Sequence, residues 1–226
     1  MSKLAPASLF LLAVSALVAQ TAATTSTIQA NGTATISAPP DQVQLTASVV
    51  TQANTAQNAA QQNAVQTTAV ISAIQQVLGS SGTVQTIAYA VMPQYNNANP
   101  ATIVGYTASN TLQVTIYDLT SLPGKVIDAA NQAGANNISG LTFSLQNPDP
   151  VLRQALTAAA KQALAHAGAI ASGLGVNAGG VISAQESESV TPYAVPGVAA
   201  SATTTPVLTG TVTVTGSVTV VVQMTQ

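Results

Sequence analysis

The sequence reads as an α+β fold, a mostly antiparallel sheet of about seven strands with three helices packed on it. Two observations carry that reading. Segments with apolar residues at helical spacing are mixed with segments of strict alternation, in the order β-β-α-β-β-α-β-α-β-β, which is neither a regular βα repeat nor all-β. The core must also be aliphatic, because hydrophobic residues make up 47% of the chain while aromatic ones are 3% and Trp is absent.

Taken in order, Thr27–Ser37 and Gln42–Thr51 alternate as strands, with Pro39-Pro40-Asp41 as the turn of an expected hairpin. Ala53–Leu78 reads as a helix whose stripe is Ala56, Ala60, Ala64, Val65, Ala69, Ile71, Ile74 and Leu78. Asn54 or Thr55 would cap its start, and Gly79 would end it. Thr83–Gln94 and Thr102–Tyr117 are two more strands around the turn Asn96–Pro100. Ser121–Ala133 is a shorter helix with Ser121 as its cap, and Asn137–Leu145 a fifth strand.

Asn147-Pro148-Asp149-Pro150 opens the third helix, as an Asn or Asp cap followed by Pro in the first turn would, and the helix runs to Ser172. Its alanines at 155, 159, 163, 167 and 171 form an i, i+4 ridge that suits close packing. Val181–Val190 is a sixth strand. Thr191–Pro206 has no period and reads as a loop. Leu208–Met224 alternates Thr and Val as the last strand, with Gly216 suggesting a bulge.

At the N-terminus, Lys3, the apolar run Leu9–Ala19 and the small residues after it have the layout of a secretory signal peptide. The run is shorter than the about 20 helical residues that a bilayer needs. The expected organisation is a signal peptide over residues 1–23 and one domain over 24–226, with 191–206 a flexible loop. The mature chain is expected to be periplasmic or secreted and to carry no membrane span. With no Cys, its stability must come from packing.

Charge is scarce: Asp, Glu, Lys and Arg make up 4% of the chain, against about 25% in an ordinary globular protein. Beyond the leader the cations are Lys125, Arg153 and Lys161. Three cations cannot neutralise a run of phosphates, so nucleic acid is excluded as a partner.

Candidate chemistry is correspondingly thin. His166 stands alone on the Ala-rich helix, with no Asp or Glu within four residues and no Cys anywhere, which is a poor start for a metal site. A Ser-His-Asp arrangement would need a serine across the fold, and no Gly-x-Ser-x-Gly elbow is present. Glu186 and Glu188 share one face of a strand. A carboxylate pair can do acid–base work, but on a strand beside a loop it reads better as a solvated edge. The glycines from Gly134 to Gly140 follow a helix and lead into a strand, the reverse of a phosphate loop. No catalytic, cofactor-binding or metal-binding residue is expected, no cofactor, and no enzymatic activity.

Four segments carry a resemblance. They are Gly32 followed by Pro40-Asp41, Gly105–Asn110 leading into Val114–Leu119, Ala133–Phe143 (AGANNISGLTF), and Arg153 with the spaced alanines ending in Leu174-Gly175-Val176. In this order the chain resembles the SIMPL-domain family of bacterial envelope proteins, which includes periplasmic immunogenic antigens. The resemblance implies an α+β domain, export and no established catalysis. It also implies that large hollow oligomers and links to oxidative-stress tolerance occur among relatives. Gln162 and Leu164 stand where that family usually has Asp and Arg.

The functional expectation is a non-enzymatic envelope protein that forms a homo-oligomer and has a structural or stress-protective role. The alternative is a periplasmic module that binds a small molecule or peptide. The long, weakly charged strand Leu208–Met224 is the expected assembly edge, so Val214→Lys or Val220→Lys should weaken assembly or folding. Scarce carboxylates also point to acid tolerance.

Overall fold

A computed structural model of the chain describes residues 26–96, 98, 102–193 and 205–226. The leader assigned to residues 1–23 and most of the 191–206 loop lie outside the described residues. Ten elements follow in order: β1 (Thr27–Ala38), β2 (Gln42–Ala53), α1 (Ala56–Leu78), β3 (Gly82–Tyr95), β4 (Ile103–Ile116), α2 (Leu122–Gln132), β5 (Asn137–Ser144), α3 (Asp149–Gly173), β6 (Asn177–Tyr193) and β7 (Thr211–Thr225). The α+β class, the element order, the antiparallel pairing and the three helices are as the sequence indicates.

The strands divide between two sheets, ordered β1-β7-β6 and β3-β4-β2-β5. The expected β1–β2 hairpin does not form. β1 pairs with β7, while β2 lies between β4 and β5. Pro39 and Pro40 explain the crossing, because they remove two ladder donors and fix φ, so the chain leaves one sheet and enters the other.

Helices α1 and α2 cover one face of the four-stranded sheet. Val43, Leu45, Ala47 and Val49 of β2 and Leu112, Val114 and Ile116 of β4 are buried there against Val70, Ile74 and Leu78 of α1 and Val126 and Ala130 of α2. Thr55 caps α1, its hydroxyl accepting from the Asn58 N–H at 3.2 Å, and Gly79 ends it at φ 53°. The buried face of α1 is Ala59, Asn63, Thr67, Val70, Ile74 and Leu78 rather than the apolar stripe expected, and Val65 is 70% exposed. Counting hydrophobic residues rotated the helix because two of the inward positions are polar.

Helix α3 lies over β1 and β7 and leaves most of β6 uncovered. All five ridge alanines are buried, and four of them, Ala159, Ala163, Ala167 and Ala171, pack with Ile28, Ala30, Val218, Val220 and Val222. Neither Ser121 nor residue 148 caps its helix through a side chain, and the Asn147 carboxamide instead accepts from the Asp149 N–H at 3.1 Å. Gly216 is not a bulge, since the β7 register runs unbroken past it on both sides. It is an approach point: a Cβ there would lie 2.9 Å from the Leu156 backbone nitrogen.

β7 is the central strand of its sheet, so it is not the expected edge. Val214 and Val220 face inward and are buried, and a lysine at either would test the fold rather than an interface. β6 begins earlier and ends later than the sequence indicates, running through Tyr193. Thr205, at the far end of the loop, bonds the Asp128 carboxylate through both its N–H and its hydroxyl.

Candidate functional site

The residues singled out for chemistry do not converge. His166 is exposed on α3, and its Nδ1 lies 2.8 Å from the backbone oxygen of Asn31 in β1. A carbonyl can only accept, so Nδ1 carries the proton and is committed to a backbone contact. Four residues earlier, Gln162 accepts from the Thr33 N–H at 2.7 Å. Glu186 and Glu188 lie on one face of β6, opposite Val218 and Gly216, and both are exposed. Among the described residues no group of three or more His, Cys, Asp or Glu could hold a metal ion. Asp118 has its carboxyl held below the usual range, first by the Thr120 backbone N–H at 3.0 Å, then by the Thr120 side chain, with Lys125 adding attraction. That is a local turn, not a reactive pair.

Polar groups are concentrated instead beneath α1. Asn63 is fully buried, and its carboxamide N–H groups donate to the backbone oxygens of Val49 at 2.7 Å and Ala108 at 3.1 Å. The Thr67 hydroxyl donates to the Asn63 carboxamide oxygen at 3.3 Å, and Thr51 donates to the Ala59 carbonyl at 2.8 Å. The network ties the helix to both central strands. Sequence reasoning missed it. A polar residue between Ala59 and Val70 at helical spacing was its only signal.

Among the described residues, two surfaces stand out as places for a partner. A shallow groove of about 590 Å³ runs beside α1, lined by Asn58, Gln61, Gln62, Val65, Gln66 and Ala133. Its floor is fixed by the Gln66 carboxamide, which donates to the Gly134 carbonyl at 2.8 Å. The second surface is the β3–β4 hairpin, where Ile87, Tyr89, Met92, Tyr95, Ile103 and Val104 are each about half exposed. No charged residue lies between Gly82 and Ile116. No helix among the described residues is long and apolar enough to cross a membrane.

Residues 28–222 match the model of a family named SIMPL, described as a protein of unknown function (DUF541). The chain is also similar to the 26 kDa periplasmic immunogenic protein of Brucella melitensis, with 30% identity over 165 residues. The protein of the same name in Brucella abortus matches equally. The matched segment covers 70% of this chain and 66%, just under two thirds, of each relative.

Proposed function

The chain belongs to the SIMPL family, and from that premise we propose that it is an exported, non-catalytic protein of the periplasm that works by assembling with itself. The names of the Brucella relatives support the location. One observation carries the assembly: the uncharged β3–β4 hairpin leaves tyrosine and aliphatic side chains exposed on an edge of the four-stranded sheet. Exposed apolar surface of this kind marks interaction sites. The role of the assembly is structural or stress-protective, as the family resemblance implies.

Mass in solution tests this directly. At tens of micromolar (on the order of a typical micromolar affinity) light scattering should find an oligomer, and Tyr89→Lys with Met92→Lys should reduce its mass. A monomeric wild-type protein sinks the proposal.

The second reading, a binding module, is supported by Val65. A side chain 70% exposed among Gln and Asn is an apolar contact at the side of a shallow groove that could take a small neutral ligand. Val65→Asp should then abolish ligand-induced thermal stabilisation in a screen of neutral solutes. A screen without any hit counts against it.

A further inference from the structure

We propose that the outer edge of β1 is a strand-addition surface for a second copy of this chain, and that Gln162 and His166 of α3 hold it shut. Exposed strand edges invite pairing, and proteins blunt them with charge, proline, bulges or cover. β6 has two register shifts, Glu186, Glu188 and Pro192, and β3 has two shifts and Pro93. β5 has a register shift against β2 and Gly140 at φ 68°. β1 has none of these. Its 12 residues pair with β7 without a shift, and they include no charge and no proline.

Two side chains replace those devices. The Asn31 carbonyl and the Thr33 N–H meet α3 rather than β7, so both groups point outward from the sheet. The side chains of His166 and Gln162 meet them at 2.8 and 2.7 Å. The two residues are four apart on the helix and so share one face. Their targets are two apart on the strand and so share one edge. Both contacts fall mid-strand, and the groups left open, near Thr27–Gln29 and Thr35–Ser37, make stretches too short to hold a partner strand.

Gly32, between the two targets, makes the reach possible. It has no Cβ to strike the backbone of Ala159 and Ala163, and α3 therefore lies against the strand.

The occupant that fits is a second β1. Antiparallel pairing of this edge with itself is isologous, closes on a two-fold axis and opposes no like charges. It would extend the sheet to β6-β7-β1-β1-β7-β6.

Two measurements test the lock. Amide hydrogen exchange on the wild-type protein should find the Thr33 N–H slower than the outward N–H groups of Gln29 and Thr35, and equal rates would overturn the lock. The double change Gln162→Leu with His166→Leu removes the acceptor and the donor but keeps helix-forming residues. By light scattering, its mass should be at least double that of wild type at equal concentration, and adding Thr35→Lys at the exposed edge should reverse the gain. Unchanged mass in the folded double variant, or growth that survives Thr35→Lys, overturns the proposal. If the double variant does not fold, the exchange rates decide.

Discussion

Replacing Gly32 with alanine adds one methyl group where the structure has no room for it. The added Cβ would lie 2.5 Å from the Ala163 backbone nitrogen and 3.0 Å from the Gln162 Cβ, and closer still to the Ala159 carbonyl oxygen. Two of these neighbours are backbone of α3, so the helix must lift from the sheet. Overpacking of this kind costs about 1–3 kcal/mol. Lifting also stretches the Gln162–Thr33 and His166–Asn31 contacts, each worth about 0.5–1.5 kcal/mol. Against this, alanine restricts the unfolded chain, which returns about 0.4–1 kcal/mol.

The loss wins, with a net destabilisation of about 1–6 kcal/mol. At about 2–4 °C per kcal/mol for a chain of this size, melting should fall by roughly 2–24 °C. Gly168→Ala is the matched control. A Cβ there meets nothing within 4 Å, and inside a helix the change should stabilise by about 1 kcal/mol. Thermal and urea melts followed by circular dichroism read both. A Gly32→Ala protein that melts at or above wild type would refute the claim that close approach, rather than chain flexibility, fixes glycine at this position.

Further outcomes follow from the same geometry. Asn63→Leu removes the two carboxamide bonds to the Val49 and Ala108 carbonyls and leaves the Thr67 hydroxyl without its acceptor, and should cost about 1–3 kcal/mol in a urea melt, whereas Thr67→Val, which loses one long bond of 3.3 Å, should cost less. Acid should do little. Asp118 has a lowered carboxyl pKa, so its contribution is present above the unfolded carboxylate value of about 3.9 and is lost as pH falls through the folded value. The side chain is exposed, so that contribution is small. Melting at pH 3 should stay within about 15 °C of the midpoint at pH 7, and a larger fall rules out acid tolerance. Asp128→Asn weakens both contacts of Thr205 and should lower the melting temperature slightly.

What the sequence determined by itself was local. Periodicity placed all ten elements in their observed order, most of them within three residues of their observed bounds, β6 being the one read too short. The ridge of five alanines was legible as packing because an i, i+4 row of methyl groups has no other use on a helix.

Tertiary structure decided the pairings. Alternation marks a strand but does not name its neighbour. β7 was therefore mistaken for an edge although it is central, and β1 and β2 were joined although two prolines part them. Gly216 and Gly32 acquired their meaning only once α3 lay against them. Asn63 shows the physical reason most directly. A buried carboxamide is stable only when its partners are in place, and those partners, Val49 and Ala108, belong to two strands that lie 14 and 45 residues away and meet only in the folded sheet.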